Sequence, residues 1–76
     1  MMNNSLKYGI EIGDVYDNID IVFNNLALNG YFYDIERNEE IHDARCYAFK
    51  NKKQECVEVW LYKELDSCKV FDLYEM

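Results

Sequence analysis

A chain of 76 residues, half of them hydrophobic and 16% aromatic, is long enough for one small domain and too apolar for disorder. Its net charge of −7 is regional: residues 9–43 carry nine carboxylates against one base, Arg37, whereas residues 44–76 carry six of each. That distribution argues against a phosphate backbone or an anionic membrane as direct ligand, since both are held by Lys and Arg, and favours a basic protein partner.

Residues 1–5 are expected to be a flexible tail. Leu6–Ile12 then alternates apolar and polar residues, placing Leu6, Tyr8, Ile10 and Ile12 on one side, and predicts a half-buried strand ending at Gly13. Asp14 fits a helix N-cap, with Asp17 in the first turn where the helix dipole favours negative charge. The apolar positions Tyr16, Ile19, Phe23 and Leu26, with Val22 and Ala27 alongside, form one helical stripe. Asn29-Gly30 is a natural helix stop.

Strands follow. Tyr31–Glu36 is β-prone, Arg37-Asn38-Glu39-Glu40 reads as a polar turn, and Asp43–Lys50 and Cys56–Lys63 flank a hairpin loop at Asn51–Gln54. Lys69–Tyr74 reads as the last strand, after a second loop at Lys63–Ser67. The order is β-α-β-β-β-β, or β-α-β-β-β if Tyr31–Glu36 is only a connection. The class is α+β: one helix packed on a mostly antiparallel four- to five-stranded sheet. With no Pro and three Gly nothing punctuates a linker, so residues 1–76 are expected to form a single small domain.

If the helix covers one face, alternation assigns Tyr8, Ile10, Ile12, Tyr33, Ile35, Tyr47, Phe49, Val57, Val59, Leu61, Phe71 and Leu73 to the core. Phe32, Cys46, Cys56, Trp60, Tyr62, Val70 and Tyr74 fall on the other face. There Phe32, Trp60, Tyr62 and Tyr74 form an aromatic patch of the kind that marks a partner or homodimer interface. A slip of one residue in any strand would exchange its faces.

Three cysteines, an odd number, cannot close a disulfide framework within one chain. With no apolar run near the 18 or so residues of a membrane span and no secretory signal at the start, a reduced, cytoplasmic setting in a bacterial cell is expected. His42, Cys46, Cys56 and Cys68 have the count and softness for zinc. No Cys-x2-Cys knuckle exists to hold a pair of ligands, however, and structural thiols are the better reading. No metal or cofactor is expected. Gly9-x3-Gly13 lacks the Lys-Ser/Thr of a phosphate-binding loop, and one His and three thiols in so short a chain argue against catalysis. Lys50, Lys52 and Lys53 at the hairpin tip read as a solvated turn.

The acidic residues Asp14, Asp17, Asp20, Asp34, Glu36, Glu39, Glu40 and Asp43 are then either a solubilising surface or a mimic of a phosphate run that occupies a Lys/Arg channel. Tyr16, Tyr31 and Tyr33, close to them in sequence, could add contact energy. In size, charge and aromatic content, though in no specific residue, the chain is similar to small acidic inhibitors encoded by phages and mobile elements. These include anti-CRISPR proteins and DNA mimics; acidic immunity proteins and antitoxins are of the same type. The resemblance implies a non-enzymatic inhibitor of a basic nucleic-acid-processing protein such as a nuclease. The alternatives are an immunity protein or antitoxin against a basic toxin, and a homodimeric assembly domain.

Overall fold

The computed structural model describes residues 7–76, apart from the side chain of Asn38; the expected tail at residues 1–5, and Leu6, lie outside the described residues. The elements are β1 (Val15–Tyr16), α1 (Ile19–Leu28), β2 (Phe32–Ile41), β3 (Ala44–Lys50), β4 (Cys56–Lys63) and β5 (Cys68–Glu75). The five strands form one antiparallel sheet in the order β1-β5-β4-β3-β2. The single helix packs on one face, so the molecule is α+β.

The start of the chain departs most from expectation. Residues 7–13 form turns rather than a strand, with Gly9 and Gly13 at φ +76° and +96°, a left-handed backbone that glycine adopts without strain. The ladder there is two residues long, Val15 opposite Lys69 and Tyr16 opposite Cys68. Tyr8 and Ile10 still reach the core, but Ile12 is 55% exposed. Asp14 is not the helix cap. Its carboxylate closes the turn, accepting the Glu11 N–H at 3.0 Å and the Tyr16 hydroxyl at 2.7 Å. Asn18 caps α1 instead, accepting the Ile21 N–H at 3.2 Å. At the other end Gly30, at φ +87°, donates its N–H to the Ala27 carbonyl at 2.9 Å, and Tyr31 donates to Leu26 at 2.9 Å. That is the expected stop.

The stripe of α1 buries Val22 and Leu26 completely, with Ile19 and Phe23 packed beside them. Phe23 stacks on Tyr33 at 5.2 Å and meets Tyr47 and Phe49 edge-on at 5.6 and 5.0 Å. Val57, Val59, Leu61, Cys68 and Val70 complete this core from β4 and β5.

Two bulges overturn parts of the face assignment. In β2, Tyr33 faces Phe49 while Ile35 faces Ala48, so Asp34 is an extra residue. The bulge turns Ile35 to the helix-free face, half exposed, and Tyr33, although Phe23 stacks on it, stays half exposed at the margin of the core. In β5, Leu61 faces Val70 and Trp60 faces Asp72, leaving Phe71 extra. Val70 therefore enters the core and Phe71 sits outside it at 41% exposure. A one-residue insertion shifts the period-2 alternation of everything beyond it.

The polar turn expected at Arg37–Glu40 is also corrected: those residues lie within β2, where Arg37, Asn38 and Glu39 together oppose the single residue Cys46. The real turn is His42-Asp43, both in left-handed backbone at φ +50° and +67°. This is the geometry of a two-residue hairpin turn, which His and Asp tolerate better than most residues.

A methyl group at Gly9 would lie 2.7 Å from the Asn25 carbonyl oxygen and against the Asn29 amide, in a left-handed backbone. Gly9→Ala is expected to cost about 3 kcal/mol, against about 1 kcal/mol for loss of the Asn18 cap in Asn18→Ala. Urea midpoints measure both. Equal midpoints for the two variants would show that residues 7–13 are not anchored on α1 as described.

Candidate partner-binding surface

The turns place most of the free acid at one end of the sheet. Pairing aligns Ile41 with Ala44, Ala44 with Tyr62, Tyr62 with Lys69, and Lys69 with Val15, a row crossing all five strands. Beyond that row lie the His42-Asp43 turn, the Glu64–Ser67 loop and the entry to α1. Glu40, Asp43, Glu64, Asp66, Asp14, Asp17 and Asp20 thus gather at this end, with Arg45, Lys63 and Lys69 beside them. The opposite end carries Lys7, Lys50, Lys52 and Lys53. Charge that is segregated along the sequence is segregated along the strands as well, but by a different membership.

Of the eight sequence-predicted acids, Asp17, Asp20, Glu39, Glu40 and Asp43 are exposed and, among the described residues, have no ion-pair partner. Asp34 and Glu36 are not free. Asp34 lies 3.7 Å from Lys50 at the far end of β2, and Glu36 accepts from Arg45 Nη1 at 3.3 Å. Asp14 is engaged by Tyr16, whose hydroxyl is pushed up to about 12 by burial first and by that carboxylate second. The continuous acidic face expected over residues 14–43 is therefore split. Asp14, Asp17 and Asp20 lie by β1, while Glu39, Glu40 and Asp43 lie at the β2 side, and Glu64 and Asp66 bridge between them from the β4–β5 loop.

The helix-free face carries the four predicted aromatics, Phe32, Trp60, Tyr62 and Tyr74. Trp60 is only 6% exposed, because it packs with Ala44 and Cys46, small residues of β3, and with Tyr62. Arg37 reaches across β3 to donate to Glu58 at 3.1 Å. The exposed apolar residues of this face are Val15, Phe32, Ile35, Ile41, Phe71 and Tyr74. Tyr31 is buried against Tyr8, so of the three tyrosines expected near the acids only Tyr33 offers much free surface.

Two adjoining hollows open on this face. One, of about 280 Å³, is lined by Ile41, His42, Trp60, Phe71, Asp72 and Tyr74. The other, of about 460 Å³, is lined by Val15, His42, Tyr62, Glu64, Lys69 and Phe71. His42 and Phe71, with ring centres 6.4 Å apart, belong to both and divide them. Glu64, Asp66 and Phe71 are functional candidates that sequence reasoning missed, and His42, weighed there as a metal ligand, lines both hollows instead. The tight apolar-His-Asp-Ala spacing was a legible signal for the turn, whereas the β5 bulge that exposes Phe71 has none.

The cysteines are not brought together. Cys46 and Cys56 are on the helix-free side of β3 and β4, and Cys68 is in the helix-side core. Among the described residues no group of three or more His, Cys, Asp or Glu is placed to hold a metal ion. Nor does any described helix have the length and apolarity to cross a membrane. Burial, with the Glu58 and Glu39 carboxylates adding to it, pushes the Cys46 thiol up to about 12, and burial also raises Cys68. Only Cys56 is partly exposed. Native protein treated with iodoacetamide at pH 8 should therefore be alkylated at Cys56 first, by mass spectrometry, with Cys46 and Cys68 reacting only on denaturation. Modification of Cys46 at the rate of Cys56 would contradict the packing of Trp60 over β3.

No protein-family model matches this chain, and neither the curated proteins nor the solved structures searched contain a match to it.

Proposed function

We propose that this protein is a non-enzymatic acidic binding protein that inhibits a basic nucleic-acid-processing protein, such as a nuclease, by covering its Lys/Arg channel. The observation that carries the reading is the gathering of unpaired carboxylates at one end of the sheet: Asp17, Asp20, Glu40, Asp43 and Asp66 there lack ion-pair partners among the described residues. Such a cluster steers a basic partner toward that end and speeds association, an effect that salt weakens. A cytoplasmic setting in a bacterial cell, and an origin in a phage or mobile element, belong to the same reading. The immunity-protein or antitoxin alternative uses the same surface against a cognate toxin.

The exposed Phe32, Ile35, Ile41, Phe71 and Tyr74 favour a second reading, a homodimeric assembly domain paired through the helix-free face. Trp60 would contribute little to it, being nearly covered already.

The test is capture from lysate of a bacterial host at about 0.1 M and about 0.5 M salt, where the Debye length falls from about 10 Å to about 4 Å. A basic nucleic-acid-binding protein is expected at low salt, competed by DNA or RNA and weakened by salt. The quadruple variant Asp17→Asn, Asp20→Asn, Glu39→Gln, Glu40→Gln should lose about tenfold or more in affinity, whereas Asp34→Asn, in an existing ion pair, should lose little. Unchanged binding by the quadruple variant would refute the acidic mechanism. A protein recovered only with itself, as a dimer, would favour the assembly domain.

A further inference from the structure

Three features of the helix-free face converge on the smaller hollow. Its walls are aromatic and aliphatic, with Trp60, Phe71, Tyr74 and Ile41 contributing, and its one carboxylate is Asp72. The indole Nε1 of Trp60 is buried and has no hydrogen-bond acceptor among the described residues, an arrangement that is costly unless something supplies one. Finally, the hollow is bordered by His42, held with Asp43 in a left-handed turn that glycine and asparagine usually fill.

An aromatic wall beside a single carboxylate suits a planar cation. Guanidinium stacks on aromatic faces and binds carboxylate in fork geometry, which a lysine ammonium cannot do. The location agrees. Trp60 and Asp72 are paired across β4 and β5, close to the row bordering the acidic end, so charge that steers a basic partner delivers it beside the hollow. The larger hollow contains Lys69 as well as Glu64 and is unsuited to a second cation, but its Tyr62 and Val15 walls can hold the apolar part of a segment.

We propose that the hollow formed by Ile41, His42, Trp60, Phe71, Asp72 and Tyr74 is an arginine-binding site for an extended basic segment of the partner. Phe71 and Tyr74 flank the guanidinium and Asp72 neutralises it, while the edge of Trp60 forms the floor. This rests on the reading above that the partner is basic, and adds the contact that gives the encounter a fixed register.

The test is a titration of nitrogen-15-labelled protein with the end-blocked pentapeptide Ser-Gly-Arg-Gly-Ser, followed by the indole N–H of Trp60 and the amides of β5. Saturable shifts confined to the hollow are expected. The same peptide with citrulline in place of arginine should bind at least about fivefold more weakly, the loss of one desolvated cation–aromatic contact. Phe71→Ala and Asp72→Asn should each weaken binding about as much. Both positions are accessible from solvent, and the amide spectrum of each variant verifies its fold; Tyr74→Ala serves if Phe71→Ala fails to fold. Equal binding of arginine and citrulline would overturn the proposal. So would shifts confined to the backbone amides of the acidic end, or hollow resonances that move on dilution of the protein alone, which would mean a second copy occupies the face. The quadruple acidic variant separates this site from the wider reading. If it loses the lysate partner yet keeps the peptide shifts, both hold. A silent hollow beside an intact, salt-sensitive partner complex sinks only the arginine site, and peptide shifts beside a salt-indifferent partner sink only the acidic mechanism.

Discussion

A ten-residue helix is about 15 Å long, and the sheet it must protect has five strands, three of them of eight residues or more. One helix of that size covers one face of the middle of the sheet and nothing else. Every other feature of the molecule follows from that shortage. Beneath α1 the core is apolar, with Val22 and Leu26 fully buried and Phe23 packed at its margin among Tyr33, Tyr47 and Phe49. Where α1 stops, the same face turns polar, and Glu36 and Arg45 pair at the surface as exposed ion pairs do, contributing little to stability.

The uncovered face solves the same shortage differently. Strand β3 presents Ala44, Cys46 and Ala48 there, all inaccessible to solvent, so that larger neighbours lie down across them: Trp60 from β4, and Arg37 reaching to Glu58. A tryptophan folded onto small residues supplies a second, minor core at low cost in chain length. It also leaves one indole donor without an acceptor among the described residues and a ring of exposed apolar residues around it.

Unpaired carboxylates and exposed apolar residues occupy adjacent parts of one molecule, and their adjacency is a product of strand order. The β2–β3 turn, the β4–β5 loop and the β1–α1 entry all emerge at the same end because consecutive strands are antiparallel. Carboxylates widely separated in sequence, Asp17 and Asp66 for example, thereby add their fields beside hollows walled by Phe71 and Tyr62.

Much of this was legible in the residues themselves. Period-2 alternation set β3 and β4 within a residue, the Asn-Gly stop ended α1 correctly, and the class followed from one amphipathic stripe among β-prone runs. Phe32, Trp60, Tyr62 and Tyr74 lie on the face that alternation assigned to them, Phe32 before the β2 bulge and Tyr74 after the β5 one. Ile35, Val70 and Phe71 do not, since the extra residues at Asp34 and Phe71 reverse alternation by a backbone accommodation to neighbouring strands that no local pattern encodes. Over its described residues 7–12, the strand read at Leu6–Ile12 failed for a related reason: Gly9 turns the chain against α1, where Tyr8 and Ile10 find burial without a ladder. The sequence by itself determined the amount of acid, the amphipathic helix and the strands' propensities, since these depend on residue type and local spacing. Which acids stay unpaired, which aromatics stay open and where the two meet were decided only by tertiary structure, because pairing register and the reach of a single short helix are properties of the assembled sheet.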